Sequence, residues 1–440
     1  RSRKYSAGAN FHHYTANGKI KMPDDNKVYA GFSDNQIGVF GKKYYRKSVL
    51  SGEMEAGRFT RYYYGYETTD TSLEIQEKRE DIERQRFFLA HAAAKWQTTH
   101  KDTDKFNIDL LLDYNYFQDI SNIHEHSPAF EGNFYNRFFN SPFLIGGNLK
   151  LQYFDKNIDN IDTLEHGYSK AHLWAGIFEN KWRIMVGYNM NADMRKDSTQ
   201  YHFYQEVRMQ YNIADDFVLP YAGLTGKLEI NNYRKIAMEN PFIVPDLAVR
   251  NTNHKFIFYG GIMGHFSKNI SFNFKGTYST IEDMYFYVNT DDRQEKFTVV
   301  YDTANVFDLY GEIVYKKTDK INLNLNGHYY NYELKNLPKP WHKPEYKLSL
   351  AAAYNLQNKI ILNTDVFLLG RRYAPNFTPG EPDYTLDGIV DANLGIEYRY
   401  TKLLSAYIQC NNIAASKYYK WHNYPMLGFN CLVGVTYGFD

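Results

Sequence analysis

A chain of 440 residues with 43% apolar and 17% aromatic content, 41 Tyr and 30 Phe, has a mean hydropathy of only −0.59. Its apolar content therefore leans on Tyr and Phe rather than on the aliphatic cores of a multidomain soluble protein. A net charge of +1 argues against nucleic acid as a partner, two cysteines cannot form a disulfide framework, and no run approaches the roughly 18 apolar residues of a transmembrane helix.

From Arg1 the segment RSRKYSAGANF already alternates. A processed or truncated start is therefore expected, with one further hairpin ahead of it. A first strand is expected around Lys4 to Thr15, followed by pairs of alternating segments joined by tight polar turns near Arg46, Lys101, Ser141, Asn180, Asp215, Lys268, Thr318, Gln357 and Thr401. Longer segments rich in Asn, Asp, Pro and Gly separate the pairs at 67–83, 119–124, 157–166, 193–199, 231–254, 281–303, 334–343, 371–384 and 412–425. Short turns on one side and long loops on the other is the pattern of an outer-membrane barrel. Ser72 to Gln85 reads as a charged loop helix, and YFYVNT with KFTVVY as a hairpin rising beyond the barrel.

Strand character is clearest where the period is two. Phe106, Ile108, Leu110, Leu112 and Tyr114 alternate with Asn107, Asp109, Asp113 and Asn115, and Trp182, Ile184, Val186 and Tyr188 with Arg183, Gly187 and Asn189. In INLNLNGHYY, Ile321, Leu323 and Leu325 face one way and Asn322, Asn324 and Asn326 the other. Three asparagines in a row are costly to bury in a dry core and easy to hydrate in a lumen. The chain closes on FNCLVGVTYGF, with Phe429, Cys431, Val433, Val435, Tyr437 and Phe439 on one face. Cys410 and Cys431 fall on the apolar faces of the last two strands and read as small hydrophobic residues, a bridged pair being the less favoured alternative.

The final strands resemble the end of a TonB-dependent receptor barrel. The resemblance rests on LDGIVDANLGIEYRY, the turn at Thr401 and Lys402, LLSAYIQCNNI with Asn411 and Asn412, and the closing segment in which Tyr418, Tyr419, Trp421, Tyr424, Pro425, Gly428 and Phe439 occupy the family's places. The Tyr, Asn and Lys usage resembles barrels of the Bacteroidota. Membership would imply an N-terminal plug and an energy-coupling box, and neither is seen in this sequence.

The fold expected is all-β: one domain over 1–440, a single closed antiparallel transmembrane barrel of about 20 to 22 strands with long extracellular loops. Two functions follow, a passive porin being disfavoured by the size of the lumen. The first is transport across the outer membrane by a receptor-like barrel. The alternative is a plugless accessory subunit of outer-membrane protein assembly or surface-protein export. The partners expected are outer-membrane lipids and lipopolysaccharide, with a plug domain and a TonB-type energy transducer, or else partner lipoproteins and an assembly barrel.

No catalytic, cofactor or metal residue is assigned, and the binding residues stay open. No Gly-x-Ser-x-Gly elbow appears, so enzyme activity is not expected. In HEH, His124 and His126 share a strand face around Glu125, but two imidazoles are too few for a closed metal site, and a solvated loop is the plainer reading. His12 and His13 point to opposite faces, and His422 in WHNYP reads as an interface anchor. Asp109, Asp113, Arg183, Lys275, Asp365, Asp391 and Glu397 alternate with apolar residues as a mixed-sign lumen ladder rather than a one-sign filter. The rigid, aromatic segments Leu337 to Pro344 and Arg371 to Tyr384 suit either ligand capture or a lid.

Overall fold

The computed structural model describes residues 4–68, 78–100, 105–137, 141–158, 162–213, 217–290 and 294–437. Twenty long strands form one sheet. They are β1 (Tyr5–Ala16), β2 (Phe32–Tyr44), β3 (Ser48–Tyr62), β4 (Arg84–Thr98), β5 (Asn107–Gln118), β6 (Ile123–Arg137), β7 (Phe143–Ile158), β8 (Asp162–Phe178), β9 (Trp182–Arg195) and β10 (Ser198–Tyr211). The second half comprises β11 (Val218–Glu229), β12 (Thr252–Ser267), β13 (Ile270–Asn289), β14 (Phe297–Lys317), β15 (Ile321–Leu334), β16 (Tyr346–Leu356), β17 (Ile360–Leu369), β18 (Ile389–Arg399), β19 (Leu404–Asn411) and β20 (Asn430–Tyr437). Each strand pairs antiparallel with its successor, from β1 with β2 to β19 with β20.

All nine expected tight turns fall between strands at one end of the sheet; Lys101 and Asp215 themselves lie outside the described residues. At Gln357 and Asn358 both φ values are positive (53° and 58°), and Lys359 N–H closes onto Leu356 O at 3.0 Å. That is the hairpin geometry whose twist matches the strands it joins. The opposite end carries the long segments, of which three are shorter than the composition suggests. At 119–124, Asp119 Oδ1 accepts from Ser121 N (2.8 Å) and Ile123 N (3.0 Å), and Asn122 takes φ 58°. This closes the turn early and places HEH on β6. Strands β7 and β8 likewise run into 157–166, and β9 and β10 into 193–199. The hairpin in 281–303 is present, paired from Met284↔Asp302 to Asn289↔Phe297. Of the loop helix expected over Ser72 to Gln85, residues 72–77 lie outside the described residues, as does Phe439, while 78–83 hold turns and bends rather than a helix and Arg84 and Gln85 begin β4.

The sheet is curled. Asp119, after β5, and Tyr287, on β13, both hydrogen-bond the same short helix, α1 (Tyr233–Glu239). Laid flat, walls eight strands apart would be separated by roughly 38 Å at about 4.8 Å per strand. Tyr64, after β3, donates to Pro425 O, ahead of β20, at 2.9 Å, so the segments that follow β3 and precede β20 also meet.

The two faces differ as the period demands. Val39, Met54, Tyr114, Leu149, Leu173, Val186, Phe258, Leu309, Leu325, Ile396 and Val435 stand exposed on the convex face. Paired Cys410 and Cys431 are a correction to the sequence reading: they are disulfide-bonded, with Cα atoms 4.2 Å apart. Their direct opposition in the β19–β20 register is a close cross-strand pairing that only the register reveals.

Candidate functional site

The site is the mouth of the curled sheet, where the segment 230–251 crosses from wall to wall. Helix α1 has seven residues, too few to persist alone, and its stability comes from partners. Asn232 caps it by accepting from Lys235 N at 3.0 Å. Glu125 of β6 accepts from Asn232 Nδ2 at 2.6 Å and from Tyr233 N at 3.0 Å. Tyr233 Oη donates to Asp119 Oδ2 at 2.8 Å. Lys156, opposite Glu125 in register, lies 4.7 Å from the Tyr233 ring centroid and donates to Leu247 O at 3.4 Å. On the far wall, Tyr287 Oη donates to Ile236 O at 3.2 Å and Tyr285 Oη to Glu239 Oε2 at 2.6 Å. Residues after the helix join β14, with Phe297 N to Phe242 O and Val244 N to Phe297 O, each at 2.8 Å.

An aromatic core seals this crossing. Phe242 stacks on Tyr424 at 3.7 Å, Tyr287 meets Trp421 edge-on at 4.8 Å, and Phe117 packs on both Phe87 and Tyr233. Burial with Asp119 alongside pushes the Tyr233 hydroxyl well above its ordinary pKa, and burial raises Asp119 itself. The segment Leu337 to Pro344, expected as either capture loop or lid, is folded into the mouth at Trp341 and His342. Trp341 is buried against Phe286 and Val288. His342 donates from Nδ1 to Tyr287 O (2.8 Å) and accepts His422 N–H at Nε2 (3.3 Å), so it is neutral, and burial pulls its pKa down to about 3. Arg372 starts a small hairpin, Arg372–Ala374 with Tyr384–Leu386. Its guanidinium donates to Lys420 O (2.7 Å) and Tyr419 O (2.6 Å), and burial lowers its pKa to about 10.

Two cavities flank α1. One, of about 340 Å³, is lined by aromatic residues including Tyr14, Phe32, Phe242 and Trp421, with Arg61 and Lys420. Arg61 is held by Asp34 at 2.9 Å. The other, of about 730 Å³, opens to the lumen and is lined by Glu131, Lys150, Lys170, Arg234 and Lys235 among polar neighbours.

The residues singled out from sequence fall mostly elsewhere. His124 and His126 lie on β6, not on a solvated loop, and accept or donate at Nδ1 with Tyr116 and Tyr114 hydroxyls, each at 2.7 Å. Among the described residues no group of three or more His, Cys, Asp or Glu is placed to hold a metal. His13 bonds Asn35, and His12 lies near Tyr14. His422 is not an interface anchor but is buried in the cap, stacked on Tyr384 at 4.2 Å. Most of the lumen charges find partners, two of them pairing with a basic side chain across strands. Asp113 bonds His91 at 2.7 Å, Asp109 lies 3.8 Å from Lys95, Glu397 bonds Arg399 at 3.2 Å, Asp391 takes the Tyr418 hydroxyl at 2.6 Å, and Lys275 sits 5.8 Å from the Tyr310 ring. Arg183 and Asp365 stand on β9 and β17 without an ion pair among the described residues. Sequence reasoning missed Glu125, Asp119 and Arg372; Asn232 before YRKIAME was the one local sign of α1.

No protein-family model and no curated protein matches the sequence. The fold, by contrast, is shared with solved receptors and transporters of siderophores, iron and copper. It matches the siderophore receptor PirA from Acinetobacter baumannii with a TM-score of 0.74 at 9% identity, covering 99% of this chain and 76% of that one. The FrpB iron transporter from Neisseria meningitidis (F3-3 variant) matches with a TM-score of 0.73 at 9% identity over 99% of this chain and 78% of that one. The copper transporter OprC gives 0.70 at 10% identity over 100% and 77%.

Proposed function

We propose that the chain is the barrel of an outer-membrane, TonB-dependent-receptor-like transporter that takes a ligand through its lumen past the α1 cap. The observation that carries this is the fold match over 99% of the chain to receptors whose cargo is a siderophore or iron. The convex face supports the membrane setting. So many exposed aliphatic and aromatic side chains on successive strands exceed what water tolerates on a monomer. On β10 the outward row runs from Tyr201 to Tyr211, roughly 33 Å along a strand and about 25 Å vertically at a tilt of about 40°, the height of a lipid-facing band between aromatic girdles. The meeting of Tyr64 with Pro425 supports a sheet closed into a barrel, with the tight turns inside and the capped mouth outside the cell. The scaffold alternative has no observation of its own in support.

The test is uptake. Cells of the source bacterium lacking the gene are compared with complemented cells for accumulation of labelled ferric-siderophore and copper complexes, alongside outer-membrane fractionation and heat-modifiable gel migration. Energy-dependent uptake that disappears with the gene is the expected result. Unchanged uptake of every complex, or absence of the protein from the outer-membrane fraction, would overturn the reading.

A further inference from the structure

We infer that the lumen cavity beneath α1 binds a small anion bearing carboxylate or phosphate oxygens, gripped by Lys150 and Lys170. This rests on the transporter reading for how the anion arrives, though not for the site itself. Lys150 on β7 and Lys170 on β8 are direct cross-strand partners. Both line the same cavity of about 730 Å³. Like charges placed directly opposite destabilise a sheet, and neither ammonium makes a hydrogen bond or ion pair among the described residues.

Among the surrounding carboxylates, Glu206 and Glu229 are held by other cations, and Glu131 lines the cavity beside the two lysines. Glu131, opposite Lys150 in register, accepts at Oε1 from Asn148 (3.0 Å) and Asn133 (3.3 Å). Glu206 is held by His172 at 2.9 Å and by Arg208. Glu229 takes Lys235 at 2.5 Å and His254 at 3.0 Å. From above, α1 adds Arg234, whose guanidinium meets only the neutral amide of Asn115 among the hydrogen bonds it makes. Two ammonium groups and a guanidinium on a neutral partner line the cavity against the single carboxylate of Glu131, so its N–H donors outnumber its anionic acceptors. Such a set matches the oxygens of a carboxylate or phosphate. A neutral or cationic ligand would leave it unmatched.

The experiment is isothermal titration of citrate and, separately, inorganic phosphate into the full-length protein in detergent at low ionic strength. The variants are Lys150→Gln/Lys170→Gln and, as control, Lys95→Gln; heat-modifiable migration confirms that each is folded. Saturable binding of one probe is expected, telling carboxylate from phosphate. It should weaken roughly tenfold or more in the double variant, about the worth of one charge-assisted hydrogen bond, and be unchanged in the control. The same probe should raise the thermal midpoint of the wild type but not of the double variant. Absence of saturable binding by either probe, or equal binding by the double variant, would overturn the inference. Loss of this binding with uptake intact defeats the anion site alone, whereas failed uptake with binding intact defeats only the transport reading.

Discussion

Along β15 the outward residues Leu323 and Leu325 and the inward residues Asn324 and Asn326 are settled by neighbours one strand away. In the segment 230–251 a single helix of seven residues draws on Asp119, Glu125, Tyr285 and Tyr287, which lie over 45 residues off in sequence. The wall repeats one local rule many times, so losing any one contact costs little. The cap rests on a short set of contacts, most of them between distant elements and several of them buried, so single losses there are felt. The difference is between a stiff wall and a cap held by a small number of breakable polar anchors.

Glu125→Ala should show the largest effect. It strands the Asn232 amide and the Tyr233 N–H in a buried place, at a cost of about 3 kcal/mol at the cap. Hydrogen exchange should rise over 230–251 while the strands keep their protection. A uniform loss of protection along the wall would erase the distinction between the two regions.

Acid should act next, and also on the cap. His342 is held neutral with its pKa near 3, against about 6.5 in an unfolded chain. Below about pH 6.5 the unfolded segment gains a proton that the folded cap refuses, so stability falls with pH through that window and is unaffected above it. The loss is about 2 kcal/mol by pH 5. Exchange at residues 337–343 and 421–424 should quicken between pH 7 and 5, and His342→Gln should flatten that dependence. A pH-independent cap in the wild type would show that the Tyr287 and His422 contacts do not hold the imidazole as described.

The smallest effect is expected in the wall. Lys95 and Asp109 lie 3.8 Å apart with both side chains 41% exposed, and Lys95→Gln should change the unfolding midpoint by less than about 0.5 kcal/mol equivalent. A loss comparable to that of Glu125→Ala would mean that the lumen ladder is an anchor and not a hydrated lining.

Most of the wall was legible beforehand because a strand's two faces meet two different media, and that writes a period of two into residues such as Phe106 to Asn115 and Phe429 to Tyr437. Turn positions were legible for a similar reason: Gln357 and Thr318 take positive φ values at places where short polar segments interrupt the alternation. The site was not legible. Glu125 looked like the middle of a histidine pair, and its buried role appears only because α1 arrives from over 100 residues away. His422 looked like a surface aromatic cluster until Tyr384 and His342 closed over it.

What the sequence by itself determined, then, is the alternation, the hairpin spacing, and the segregation of tight turns from long segments, all of which depend on residues within a few positions of each other. Tertiary structure alone decided the curl that brings β5 and β13 to one helix, the register that joins Cys410 to Cys431, and the opposition of Lys150 to Lys170. Each of these depends on which strand lies beside which and on how a sheet bends. Those are properties of pairings between chain segments, and no local periodicity encodes them.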